Sequence, residues 1–238
     1  MNPVHHPHPS APSSTGHFCP HCHTALDLPA SPFLQNITPA CDPCAARLNE
    51  ALAIGQAAAA WTTLLHTRMP AGYRTAFPER VPAAYAAALH WTPTGAHPGG
   101  IGLIGRSGLG KSCAIACLLR ALRMPFLWWS GTGARDAHLE SVTADRDRPG
   151  ARRRWEHGGS VPILILDDIS QGKMTESWSS ALFGLLESRV SAGLPTFWTC
   201  QTDLPALRAK IHRQNEGDMP QAQAITRRLA HHTLLLRS

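Results

Sequence analysis

The chain has 238 residues, 43% hydrophobic and 16% charged, which is enough for one full domain and a small accessory one. Its 22 Lys and Arg exceed its 16 Asp and Glu by six, a modest excess that suits a polyanionic partner without demanding one. Composition excludes an acidic disordered chain, a collagen-like chain and a coiled coil, and no apolar run reaches the ~18 residues of a membrane span.

The opening residues, Met1-Asn2-Pro3-Val4-His5-His6-Pro7, have no basic start and no apolar stretch, so they do not read as a signal peptide. The expectation is a cytoplasmic protein with no membrane contact. Its seven cysteines are then thiols or metal ligands. Residues 1–17, rich in Pro, His and Ser, read as a disordered tail. Residues 18–66 read as a metal module followed by an alanine-rich helix over 45–66 that tolerates Gly55. Residues 67–98, punctuated by Pro70, Pro78, Pro82, Pro93 and Pro98, read as a linker with a short helix at 83–90.

The main domain occupies 99–238. Strands are expected at 101–104, 126–129, 161–166, 195–199 and 233–236. Helices are expected at 112–122, 135–145, 177–191, 204–213 and 221–231. The basic stretch 146–159 is assigned no element. Alternating strands and helices imply a parallel sheet with helices on both faces.

Two cysteine pairs stand in the module, Cys19-Pro20-His21-Cys22 and Cys41-Asp42-Pro43-Cys44. This spacing is that of a four-thiolate zinc site, in which two knuckles supply two ligands each. His17, His21 and His23 are nearby alternatives, but four thiolates already complete the shell. A closed shell has no open position, so the zinc is structural. A segment this short needs such a staple to fold. Cys113, Cys117 and Cys200 fall on expected core elements and read as small buried hydrophobes.

Gly105-Arg106-Ser107-Gly108-Leu109-Gly110-Lys111-Ser112 follows the first strand and opens a helix. Its glycines let successive N–H groups face inward and, with the helix N-terminus, hold phosphate oxygens. Lys111 can reach the β- and γ-phosphates, and the Ser112 hydroxyl can join a Mg²⁺ shell. Cys113, in the first helical turn, closes the run of nucleotide-binding residues. Ile163-Leu164-Ile165-Leu166 then runs into Asp167-Asp168, which puts two carboxylates at the C-terminal edge of the sheet, where parallel sheets bind ligands. Asp167 is expected to orient Mg²⁺ or its water, and Asp168 to polarise the attacking water.

These residues resemble a family. The phosphate loop, Leu166-Asp167-Asp168-Ile169, Thr175-Glu176-Ser177-Trp178, Glu187-Ser188-Arg189 and Pro195-Thr196-Phe197-Trp198-Thr199 look like bacterial replicative helicase loaders. These are the DnaC/DnaI-like AAA+ ATPases, to which the IstB-like transposition helpers are related. Met69-Pro70-Ala71-Gly72-Tyr73-Arg74 resembles a segment preceding the loaders' ATPase core, and the cysteine pairs resemble the zinc module of some loaders.

The resemblance implies an α/β, P-loop AAA+ (ASCE) fold with a five-stranded parallel sheet flanked by helices and a reduced or absent lid. It implies an ATP site at 105–112 and Mg²⁺ chemistry at Asp167. Asp168 falls where many AAA+ members carry Glu, so the hydrolysis implied is slow or stimulated by a partner. Gln201 takes the place of the family's γ-phosphate-sensing Asn. Arg228, with Arg227 as rival, matches the arginine finger that reaches a neighbouring subunit's ATP, which implies self-association. The function implied is delivery of a hexameric replicative helicase onto single-stranded DNA, with the N-terminal part contacting the helicase. An IstB-like helper that binds target DNA and a transposase is the alternative, and the cysteine pairs favour the loader. A third reading, an adaptor that holds ATP without hydrolysing it, stays open because of Gln201 and Asp168.

Arg146, Arg148, Arg152, Arg153 and Arg154, followed by Trp155, are either a groove for single-stranded DNA or a solvated loop. Trp128 and Trp129 read as core residues.

Overall fold

The computed structural model describes residues 17–27, 39–143, 149–215, 219–231 and 233–237. Most of the expected tail, together with Arg146 and Arg148, lies outside them. Two units divide the chain, Met1–Ala60 and Trp61–Ser238. In the first, β1 (His17–Phe18) and β2 (Ala25–Leu26) pair antiparallel around a turn that carries Cys19 and Cys22. The turn closes with His23 N–H donating to the Cys19 carbonyl at 2.9 Å. Cys44 lies in the first turn of α1 (Asp42–Arg68), which begins in the first unit and ends in the second. This helix is longer than its apolar pattern suggested. Gly55 sits inside it at a cost of ~1 kcal/mol, outweighed by the alanines around it.

In the second unit, the stretch expected as a linker is packed. Its prolines shape 3-10 turns and the short helix α2 (Ala83–Ala86). Met69, Tyr85, Ala88 and Trp91 are buried. The Tyr85 hydroxyl donates to the Ile104 carbonyl at 2.6 Å, and Trp91 Nε1 to the His97 carbonyl at 2.7 Å. Proline punctuation marks irregular backbone, and here that backbone covers one sheet face.

From there the chain alternates: β3 (Gly100–Ile104), α3 (Lys111–Leu122), β4 (Phe126–Ser130), α4 (Gly131–Thr143), α5 (Pro149–Ser160), β5 (Ile163–Asp167), α6 (Glu176–Ser191), β6 (Thr196–Cys200), α7 (Leu204–Gln214), α8 (Met219–His231) and β7 (Leu234–Arg237). The sheet order is β4-β5-β6-β3-β7, all parallel. Strand residues sort by parity between two core clusters, as period-two side chains must. Ile101, Leu103, Phe126, Trp128, Ile163, Ile165 and Phe197 join α3 and the 69–91 segment on one face. Leu127, Trp129, Leu164, Leu166 and Trp198 join α4, α6, α7 and α8 on the other.

The helix α5 replaces the unassigned basic stretch. Its polar sequence hides one anchor, Trp155, which stacks on Trp129 at 5.7 Å and 7° and meets Trp178 edge-on at 6.3 Å. Gly158 permits this approach, because a Cβ there would stand 2.2 Å from the Trp129 ring.

Arg189, on α6, is fully buried with no carboxylate partner among the described residues. Its guanidinium donates to the carbonyls of Gly158 and Val161 at 2.9 Å each and of Pro195 at 2.6 Å, and to Thr196 Oγ1 at 3.0 Å. It thereby ties the end of α5 to the starts of β5 and β6. Burial lowers its pKa to about 10, so it keeps its charge at neutral pH. Arg189→Leu strands these carbonyls inside the protein and is expected to cost about 3–5 kcal/mol of stability in urea denaturation.

Candidate functional site

The strand order dictates the site. β6 lies between β3, which precedes the phosphate loop, and β5, which ends in Asp167. Three segments therefore converge at the C-terminal edge of the sheet. Gly105 N–H, at the start of the loop, donates to the Cys200 carbonyl at 3.1 Å. Gly110 holds φ at 74°, and a Cβ there would meet Pro82 Cδ at 2.9 Å, so this turn into α3 requires glycine.

Asp167 Oδ1 accepts from Ser112 Oγ at 2.6 Å and from Thr199 Oγ1 at 2.7 Å. Thr199 Oγ1 in turn accepts from the backbone N–H of Asp168 at 2.7 Å. Thr199 of β6 thus bonds the carboxylate of Asp167 and the backbone of Asp168. Asp168 adopts φ 56°, a left-handed conformation that non-glycine residues seldom hold. Its side chain is held on both oxygens: Ser170 Oγ donates to Oδ1 and Gln171 Nε2 to Oδ2, each at 2.7 Å, and Gln201 Nε2 also donates to Oδ2.

Lys111 is buried, and its Nζ donates to the carbonyls of Gly105 at 2.7 Å and Arg106 at 2.8 Å. Burial pulls its pKa below the ordinary lysine value, and the carboxylates of Asp168 and Asp167 act against that shift. A phosphate oxygen seated in the loop would compete for the same ammonium. A cleft of about 370 Å³ opens here, lined by Ser107, Gly108, Gly110, Lys111, Ser112, Cys113, Asp167, Asp168 and Gln201. Leu109 packs instead against the core beneath the loop.

Three further residues line the cleft, Tyr73, Gln171 and Thr199. Tyr73 stacks on Trp128 at 5.4 Å and comes from the stretch expected as a linker. The signal for Gln171 was its place three residues after Asp168, within one turn's reach. Ser112 Oγ and Asp167 Oδ1 face the cleft as adjacent oxygen donors, the chemistry that Mg²⁺ selects.

Other expected residues stand elsewhere. Arg228 is half-buried and engaged within its own chain: it pairs with Glu187 and lies 4.2 Å over the Phe183 ring. Arg227 is exposed on the same helix. Trp155, read from sequence as part of either a single-stranded DNA groove or a solvated loop, packs in the aromatic cluster with Trp129 and Trp178. Beside it, Arg152 pairs with Glu156 and Arg154 with Glu140. Trp128 and Trp129 are both core residues.

In the first unit, the Sγ atoms of Cys19, Cys22, Cys41 and Cys44 lie within 4.8 Å of one another. Tetrahedral Zn–S bonds of about 2.3 Å set the sulfurs roughly 3.8 Å apart, so the four thiols fit the ion. The Cys41 backbone N–H, above all, lowers the Cys19 thiol to about 6, whereas hydrogen bonds shared with Cys41 and Cys22 push Cys44 up to about 12. When bound, zinc would take four thiolates and fasten the hairpin to the start of α1.

No protein-family model matches the chain, and no curated protein matches it in sequence. Its likeness to solved structures is high in fold and low in identity. A crystal structure of DnaI matches with a TM-score of 0.57 and 18% identity, over 71% of this chain and 94% of that one. A crystal structure of the DnaC helicase loader matches with a TM-score of 0.55 and 13% identity, over 71% and 99%. A putative primosome component from Streptococcus pyogenes serotype M3 matches with a TM-score of 0.52 and 18% identity, over 71% and 89%. The chain shares the fold of these structures, a five-stranded parallel sheet flanked by helices with a phosphate loop after β3. The strand order, the loop and the acidic strand end are that fold's parts. No described helix is long and apolar enough to cross a membrane.

The cysteine cluster yields a direct test. The purified chain is expected to carry about one zinc ion in elemental analysis, and Cys44→Ser or Cys22→Ser to carry none.

Proposed function

We propose that this protein is an ATP-driven loader of a hexameric replicative helicase onto single-stranded DNA, acting in the cytoplasm. The observation that carries this reading is the convergence of Ser112, Asp167 and Thr199 on one oxygen beside a phosphate-cradling loop, with Asp168 held next to it. Its match in fold to the DnaC helicase loader supports the choice of task.

In this reading, ATP is the substrate, and the loop from Gly105 to Ser112 with Cys113 holds its phosphates. Lys111 turns from the loop carbonyls to the β- and γ-phosphates. Ser112 and Asp167 hold Mg²⁺, which supplies charge neutralisation at the transferred phosphoryl group. Asp168 polarises the attacking water, and Gln201, bonded to Asp168, reports the γ-phosphate to it. Because Asp168 is held by three donors, turnover is slow until a partner rearranges them. Arg228 takes the finger role toward a second copy, exchanging its partner Glu187 for the neighbour's phosphate when copies associate. The zinc module provides the helicase contact. That module also favours loading over transposition help, the alternative reading. Single-stranded DNA contacts fall to the exposed Arg153 and its neighbours on α5, without stacking on Trp155.

Two measurements test the reading. Lys111→Ala and Asp168→Asn are each expected to lower ATP turnover by at least ~100-fold, the usual effect of deleting one preorganised charge. Addition of the wild-type chain with ATP is expected to start unwinding by the helicase on DNA coated with single-strand-binding protein, and Lys111→Ala is not. Equal turnover in wild type and Lys111→Ala would discard the assignment of the cleft.

A further inference from the structure

The helices α7 and α8 enclose a second groove, of about 520 Å³, that the nucleotide cleft does not use. Leu204, Ala224 and Ala230, buried or half-buried, give it apolar walls, and Pro205 extends them. Exposed Arg208 from α7 and exposed Arg227 from α8 stand along it. Among the described residues no carboxylate lines it. The nearest acid on α7, Asp203, is engaged as the N-cap, accepting from Ala206 N–H at 2.8 Å.

We propose that this groove docks an acidic amphipathic helix of a partner protein, with apolar side chains against Leu204 and Ala224 and carboxylates on Arg208 and Arg227. Two cations beside an apolar trough complement a helix whose apolar stripe is flanked by acids. A nucleic-acid strand fits less well. Among the described residues the lining has no aromatic ring for a base to stack on, and two arginines neutralise few phosphates.

The same helix reaches the nucleotide site. Lys210 Nζ donates to the Ser170 carbonyl at 2.5 Å, and Gln214 Oε1 accepts from Met174 N–H at 2.7 Å. Ser170 is the residue whose hydroxyl holds Asp168. A partner that shifts α7 therefore moves the turn that keeps Asp168 in its left-handed conformation. Lys210 is a positioning residue, acting on Asp168 through Ser170. This response of turnover rests on the ATPase reading above, whereas the docking does not.

The test uses the full chain and a fluorescein-labelled helical peptide with leucines at i, i+3, i+4 and i+7 flanked by glutamates. Without nucleotide, fluorescence anisotropy is expected to show binding. Exchanging the peptide's glutamates for lysines is expected to weaken it at least ~10-fold, as are Arg208→Glu and Gln223→Glu, both at exposed positions. The peptide is expected to change the rate of ATP turnover in the wild type, and Lys210→Gln to bind the peptide equally while losing that change. Absence of binding, or equal affinity for both peptides, overturns the docking. Loss of (dT)20 binding in Arg208→Glu without any peptide binding makes the groove a phosphate site, and loss of self-association makes it a contact between copies. Either result also overturns it. Peptide binding by a chain that binds no ATP leaves the docking standing and removes the ATPase reading instead.

Discussion

One carboxylate oxygen organises the larger unit. Asp167 Oδ1 takes a hydrogen bond from Ser112, 55 residues earlier, and another from Thr199, 32 residues later. That meeting is possible only because β6 enters the sheet between β3 and β5. The inserted strand delivers Thr199 to the carboxylate of Asp167 and to the backbone N–H of Asp168, so loop and strand end share one reference. The period-two sorting of side chains into two cores, the glycine turn into α3 and the buried Arg189 all serve to keep these strand ends level. Arg189 does so from the opposite edge, where it replaces an ion pair with backbone carbonyls and thereby fixes the starts of β5 and β6.

Much of this was legible in the sequence. Continuous apolar runs such as Ile163–Leu166 could only be strands buried on both faces, and every main-sheet strand stands within two residues of its expected place. Gly105 to Ser112 declares its own chemistry because glycine, lysine and serine at that spacing have few other uses. The cysteine pairs are legible for the same reason, and their sulfurs do converge. Residues 67–98 were not legible, since proline density resembles a linker whether or not Tyr85 and Trp91 find a sheet to cover. Neither was α5. Its average character is polar, and only tertiary contact shows that Trp155 pairs with Trp129 rather than with a base. The ion pair of Arg228 with Glu187 joins residues 41 positions apart, which no local pattern reports. Gln171 lies four residues past the end of β5, and only its place three residues after Asp168 pointed to it.

The held state of Asp168 links structure to behaviour. A carboxylate that accepts from Ser170, Gln171 and Gln201 is positioned but occupied, and two of those donors line the cleft where a γ-phosphate would sit. In the proposed function, such a site favours binding over turnover until something redistributes the donors. A loader has use for that property, because it must hold one state until its cargo is in place. The turn carrying Asp168 is braced by Lys210 and Gln214 from α7, so the route by which a partner could redistribute them is built into the same unit.

The central claim is that nucleotide state governs an association with a helicase ring. Native mass measurement of this chain mixed with the replicative helicase of its own replicon, with and without ATP, addresses it most directly. The account predicts a stable complex near one copy per helicase subunit whose composition changes when ATP or single-stranded DNA is added. Absence of any complex under every condition, from a chain that still binds ATP, would contradict it.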